Sequence, residues 1–292
     1  MSLIEKAAQR LEGLRQGAGQ VPQPSRPASQ PRLDEPAKVG AVPVSTSSSK
    51  SVELDLAALA EAGFVTPDNP RSLTAEEFRV LKRPLLANAA GKSAAPVRNA
   101  NLIMVTSTQP GEGKSFTAVN LAMSIATELD KTVLLVDADV ARPSLPRLFK
   151  LPQLPGLLDL LKDKSMNLGD VLLKTNVGKL TLLPAGSPSP HATELLASGA
   201  MARLLAEMAS RYSDRIIIFD SPPLLVTTES RVLATNMGQI VFVVQAEQTL
   251  RSAVQAALAT IESCPVKMMV LNQTRHVDKV AYGYGYGYGY GN

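Results

Sequence analysis

With 292 residues, 45% of them hydrophobic and only 4% aromatic, the chain is long enough for one sizeable α/β domain with an aliphatic core. A net charge of +4 without any basic run argues against nucleic acid as a partner, and a single cysteine, Cys264, excludes an internal disulfide. No stretch approaches about 18 consecutive apolar residues, so the sequence predicts no helical membrane span.

Residues 1–16 read as one amphipathic helix, with Leu3, Ile4, Ala7, Ala8 and Leu11 on one face. Its charged start is unlike a signal peptide. Residues 17–50 hold six prolines between Pro22 and Pro43 amid Gln and Ser, a composition that buries too little apolar surface to offset ordering entropy. This stretch is expected to be a disordered linker. The run "VELDLAALAEAGFVTP" predicts a helix ending at Gly63. A second follows in "TAEEFRVLKRPLLANA", with Thr74 as N-cap, Glu77 at the capping-box position and Pro84 bending or ending it.

From Asn101 onward, strand and helix signals alternate. The runs "NLIMVTST", "TVLLVDAD", "KLTLLPAG", "RIIIFDSPP", "QIVFVVQA" and "VKMMVLNQ" are short and strongly apolar, as strands buried on both faces are. Helical stretches, such as 115–129 and 192–211, lie between them. Residues 51–280 therefore predict an α/β domain with a mostly parallel sheet and helices on both faces. Such sheets bind ligands at the carboxyl ends of their strands.

Each polar motif starts at one of those ends. "TSTQPGEGKS" follows the first strand and opens a helix, which marks the P-loop NTPase fold. Gly111 and Gly113 let backbone N–H groups turn toward phosphate oxygens, Lys114 can reach the β- and γ-phosphates, and the Ser115 hydroxyl can bind Mg²⁺. The nucleotide-contacting run is Pro110, Gly111, Glu112, Gly113, Lys114, Ser115 and Phe116, with Thr108 standing where a first glycine is expected. Asp137 and Asp139 close the second strand run and Asp220 closes "RIIIFD". Three carboxylates beside a phosphate loop suit metal binding and hydroxyl activation. Asn272, just past the last apolar run, can either hydrogen-bond an adenine edge or cap a turn. His191 reads as a surface-loop residue and Cys264 as a buried, inert thiol.

The chain ends in "AYGYGYGYGYGN", residues 281–292, which carries five of its six tyrosines. Alternating glycine adds backbone entropy and removes packing side chains, so this tail is no core element. It is either a sticky low-complexity end or a display of phenol hydroxyls.

ATPases that position septa or partition chromosomes carry an extra lysine near the start of this loop, where Gln109 stands here. Taken together, "PGEGKS", "VLLVDAD", "IIIFDSPP" and the tyrosine-rich end resemble the bacterial protein-tyrosine kinases of polysaccharide export, over residues 73–292. "MSLIEKAAQRLEGLRQ", "EEFRVLKRPLLANA" and "HATELLAS" look most like the tyrosine autokinases tied to exosortase and exopolysaccharide loci. The resemblance implies an ATP- and Mg²⁺-dependent kinase that phosphorylates Tyr282, Tyr284, Tyr286, Tyr288 and Tyr290 of its own tail. It implies Lys114 and Ser115 on phosphate and Mg²⁺, Asp137 as base, and Asp139 and Asp220 completing the metal site. It further implies a membrane chain-length determinant of the polysaccharide co-polymerase kind as activator, a homo-oligomer, and an opposing tyrosine phosphatase. The implied location is cytoplasmic, peripheral to the inner membrane through that partner.

Two positions depart from the family's pattern. Its ring-forming helix reads E-x-x-R-x-x-R, whereas this chain has Glu76, Arg79 and then Lys82, with Arg83 beside it. Many members also carry an arginine where Ala141 stands, next to Arg142. The rival readings are a MinD/ParA-like, ATP-switched positioning ATPase and a non-enzymatic, nucleotide-responsive adaptor of a membrane polysaccharide assembly.

Overall fold

A computed structural model describes residues 50–211 and 214–274. The expected N-terminal helix, the linker up to residue 49 and the tyrosine tail lie outside the described residues. All six predicted strands form: β2 (Leu102–Ser107), β3 (Thr132–Asp137), β5 (Leu180–Leu183), β6 (Arg215–Asp220), β7 (Gln239–Gln245) and β8 (Val266–Asn272). Two short strands, β1 (Lys50–Val52) and β4 (Leu173–Thr175), were not expected. Three residues are too few to show a period, and β1 begins where the linker was expected to end. The sheet order is β1-β4-β5-β3-β6-β2-β7-β8, and every pairing is parallel except β4 with β5.

Side chains of the central strands alternate between two apolar layers, because successive residues of a strand point to opposite faces. Ile103, Val105, Val133, Leu135, Ile216 and Ile218 form one layer, roofed by α1 (Leu56–Glu61), α2 (Leu73–Ala89) and α3 (Lys114–Ala126). Leu102, Met104, Leu134, Val136, Ile217 and Phe219 form the other. It lies beneath α5 (Leu157–Lys162), α7 (Ala192–Leu196), α8 (Gly199–Arg211), α9 (Glu229–Ala234) and α10 (Arg251–Ala259). Two further short helices are α4 (Leu145–Leu148) and α6 (Leu168–Val171). Burial on both sides explains the unbroken apolar runs of β2, β3, β6 and β7.

Four local expectations are corrected. The N-cap of α2 is Ser72 rather than Thr74: its extended backbone places the hydroxyl to accept from Ala75 N at 3.1 Å, so Glu77 occupies no capping box. Pro84 does not end α2, which continues to Ala89. Phe78, Lys82 and Leu85 are buried on either side of the proline, and that packing outweighs a missing N–H. The predicted helix 192–211 is two helices, because Ser198 starts a new one by accepting from Met201 N through its hydroxyl at 3.2 Å. Finally, β8 is buried on one face only. It is the last strand of the sheet, with Lys267, Met269 and Leu271 exposed while Met268 and Val270 pack on the core.

Candidate active site

β2, β3, β6 and β8 bring the expected polar residues to one edge of the sheet. Asp137 and Asp220 are register partners at the last positions of β3 and β6, and Val105 of β2 pairs with Asp220 from the other side. Beyond β2 the loop climbs into α3 through Gly111 (φ +90°) and Gly113 (φ +96°), left-handed conformations that favour glycine. Gly113 is also the N-cap of α3 and supplies no capping side chain, so the first-turn amides of this 13-residue helix remain donors for an anion. At Gly113 an added Cβ would lie 2.0 Å from Asn272 Nδ2. A side chain there would have to displace the Asn272 amide and would hold a left-handed backbone that favours glycine.

The loop is braced from inside. Glu112 is buried, and its Oε2 accepts from Thr108 N at 2.6 Å and Gln109 N at 2.9 Å, while Oε1 accepts from the Thr249 hydroxyl. Its side chain therefore shapes the loop rather than facing a ligand. Two residues at the end of β8 hold the loop from the other side: Asn272 Nδ2 donates to Glu112 O and Gln273 Nε2 to Gly111 O, each at 2.9 Å. Of the two roles open to Asn272, the structure displays a third, a buttress of the phosphate loop.

Lys114 and the three carboxyl groups meet beneath the loop. Lys114 Nζ lies 2.8 Å from Asp139 Oδ2 and 3.9 Å from Asp220 Oδ1. Burial opposes its charge, but the carboxylates of Asp220, Asp139 and Asp137 outweigh that and hold its pKa above the usual lysine value. Asp137 Oδ2 accepts from the amides of Ser144 and Leu145, both at 2.9 Å, and the Ser144 hydroxyl donates to Asp220 Oδ2 at 2.6 Å. Burial first, then the neighbouring Asp220, pushes the Asp137 pKa up to about 8 despite those amides. Burial likewise raises Asp220, against the pull of Lys114.

One lysine stands among three carboxyl groups, two of which burial holds toward the neutral form. Asp137 Oδ1 and Asp220 Oδ1 are buried yet accept no hydrogen bond, a costly state unless something else meets them. Among the described residues, no group of three or more His, Cys, Asp or Glu side chains forms a metal cage. Mg²⁺ does not require one, since it keeps several waters and takes one or two carboxylates with substrate phosphates. The two oxygens without hydrogen bonds and the carboxyl donor set fit such an ion. Pro110, Gly111, Gly113, Lys114, Ser115 and Asp139 line a cleft of about 750 Å³ above this cluster, with Arg142, Arg147 and Thr227 on its other walls.

The likeness to known proteins matches this architecture. A family model described as "ParA: NUBPL iron-transfer P-loop NTPase" matches residues 98–271. Tyrosine-protein kinase YwqD of Bacillus subtilis (strain 168) is 31% identical over 209 residues, covering 72% of this chain and 84% of that protein. The chain belongs to the bacterial tyrosine-protein kinases. Among solved structures, the kinase domain of Escherichia coli tyrosine kinase ETK aligns with a TM-score of 0.63 at 28% identity, covering 76% of this chain and 84% of that one. The chimerical protein CapA2B2 aligns with a TM-score of 0.59 at 26% identity, over 76% of this chain and 92% of its own.

The sequence leaves several features of this tyrosine-protein kinase unread. Ser144, Arg147 and Gln273 belong to the site but carry no motif signal. Phe116 lines the cleft, yet its ring packs on Phe64 at 4.9 Å and Phe78 at 6.4 Å between centroids, so it is also part of the core. The family's second ring-helix arginine is Lys82 here, and that lysine is buried: Nζ lies 2.7 Å from Glu128 Oε1 and donates to Ser124 O. Arg83 remains exposed on the same Glu128. His191 is exposed at the start of α7, and Cys264 is buried with its thiol pKa raised by burial. No helix of the described residues is long and apolar enough to cross a membrane.

Proposed function

We propose that this kinase transfers the γ-phosphate of ATP, with Mg²⁺, to tyrosines of its own tail, Tyr282, Tyr284, Tyr286, Tyr288 and Tyr290. The observation that carries this reading is the convergence of a braced phosphate loop, one lysine and three carboxyl groups at the carboxyl ends of β2, β3 and β6, in a chain of this family. In the reaction the phenolic O–H loses its proton, the phenolic oxygen bonds to the γ-phosphorus, and the bond from that phosphorus to ADP breaks. Lys114 leaves Asp139 for the phosphates, while the loop amides and the first turn of α3 hold the phosphate oxygens. Ser115, Asp139 and Asp220 would hold Mg²⁺, which when bound neutralises charge on the phosphates. Asp137, through its unpaired Oδ1, takes the phenolic proton.

The tail suits this chemistry because tyrosine alternating with glycine lets many registers present a hydroxyl. Each phosphotyrosine adds about −1.5 to −2 charge, so a modified tail is repelled from an acidic site and makes way for the next. Phosphorylation regulates exopolysaccharide synthesis and export. A membrane chain-length determinant activates the kinase at the inner surface of the membrane, where it acts as a homo-oligomer, and a tyrosine phosphatase opposes it.

Incubation with ATP and Mg²⁺, followed by mapping of phosphotyrosine by mass spectrometry, is expected to find it on the tail. Phosphate release without tail phosphotyrosine would instead indicate a positioning ATPase, and neither product a nucleotide-responsive adaptor. In the same assay Asp137→Asn is expected to bind ATP but transfer at least about a hundredfold more slowly, since the amide takes up no proton. Equal rates would move the base role to Asp139.

A further inference from the structure

We propose that the outer edge of β8 is a docking surface for the chain's own C-terminal tail, residues 281–290 adding to the sheet as an antiparallel strand. β8 is seven residues long and pairs along its whole length with β7 on one side. It ends the sheet, so among the described residues its other side pairs with no strand. In a parallel ladder alternate N–H and C=O groups point away from the partner, and along β8 these form an open row. Proteins commonly blunt such an edge with charge, proline, a bulge or a covering segment. Here the exposed face is largely apolar, with Met269 54% and Leu271 63% exposed. Lys267, the one charged side chain of β8, bends back so that Nζ donates to Cys264 O at 2.6 Å. Met269 also borders a groove formed with Gln255, Leu258, Ala259 and Glu262, behind α10.

The tail follows β8 directly: Gln273, the first residue past the strand, turns in a left-handed conformation (φ +58°), and Thr274 leads on to residues 275–292. Residues 275–292 therefore start at the end of the open edge itself. The stretch 273–280 is ample for a reversal, and ten residues from 281 extend about 33 Å, against about 23 Å for β8, so the tail can cover the whole edge. Its period is the right one. Tyrosine at every second residue places all five rings on one face of a strand, where they can cover Met269 and Leu271, and leaves only Ala281 and glycines on the other. Glycine weakens such a strand, which makes the added strand easy to release. A docked tail is a stored substrate, held off the cleft until it peels away.

Amide hydrogen exchange without nucleotide tests this. The full chain is expected to exchange the outward amides of β8 at least about tenfold more slowly than a chain ending at residue 280. In the full chain, Met269→Asp with Leu271→Asp should remove most of that difference while leaving β2 and β6 protected. Equal exchange in full and shortened chains would overturn the proposal. So would protection that survives shortening and grows with protein concentration, since a second copy would then be the occupant. Because no phosphoryl transfer is measured, the result stands apart from the kinase assay: a docked tail in an inactive chain would sink the kinase reading alone.

Discussion

Lys114→Met is expected to lower tail phosphotyrosine at least about a hundredfold, because in the proposed reaction it removes the lysine that would meet the transferred phosphate. Its effect on the fold is also felt. Lys114 is no freely exposed loop lysine: its side chain is 12% exposed and pairs with Asp139 at 2.8 Å, with Asp220 close by. Breaking a fully buried pair costs about 3–5 kcal/mol, but partial exposure and the capacity of the acids to take up protons reduce this to about 1–3 kcal/mol. The sign of the pH dependence follows from the acids. Burial already raises Asp220, and Lys114 is what holds it down. A carboxyl group whose folded pKa exceeds its unfolded value destabilises the fold as pH rises through that interval. The variant's deficit should therefore be larger at pH 8 than at pH 5. Thermal unfolding at the two pH values, beside quantitative phosphotyrosine mapping, checks both claims. Near-normal phosphotyrosine in the variant would remove Lys114 from the site.

Gly113→Ala is expected to weaken ATP binding by more than about a hundredfold. The left-handed backbone costs a non-glycine residue about 1–2 kcal/mol, and the new Cβ would stand 2.0 Å from Asn272 Nδ2. Either the Asn272 amide gives up its hydrogen bond to Glu112 O or the loop shifts, and both disturb the amides proposed to hold the phosphates, each charge-assisted bond contributing about 1.5–3 kcal/mol. Gly111→Ala is the internal comparison. It shares a left-handed φ of +90° but has nothing within 4 Å of an added Cβ, so it should lose far less affinity. Titration with a fluorescent ATP analogue ranks the two. Equal losses would mean that conformation alone, and not the Asn272 contact, governs the loop.

The sequence made the centre of the molecule legible and its margins less so. β2, β3, β6 and β7 are buried on both faces, so each is written around a continuous apolar run, and the acids closing β3 and β6 were readable by position. The loop was readable because glycine, lysine and a hydroxyl at fixed spacing serve local geometry. What escaped depends on residues distant along the chain. Glu112 looks like a loop residue until Thr249 is brought to it, and Asn272 looks like a strand end until it meets the loop 160 positions earlier. Ser144 joins Asp137 to Asp220 across a turn with no periodicity of its own. Ser72 displaced Thr74 as a cap because both can serve, and Ser72 is the one whose extended backbone brings its hydroxyl to Ala75 N. Lys82 resembles a surface cation in its motif, yet α3 and Glu128 draw it inside.

The strand order has a consequence for attachments. Within the described residues the polypeptide enters the sheet at β1 and leaves it at β8, which are the two outermost strands. Seven steps of about 4.8 Å separate them, a lateral offset of about 34 Å. Labels placed at Ser51 and Leu271, one exposed position on each outermost strand, thus stand a full sheet's width apart and make a ruler across the molecule.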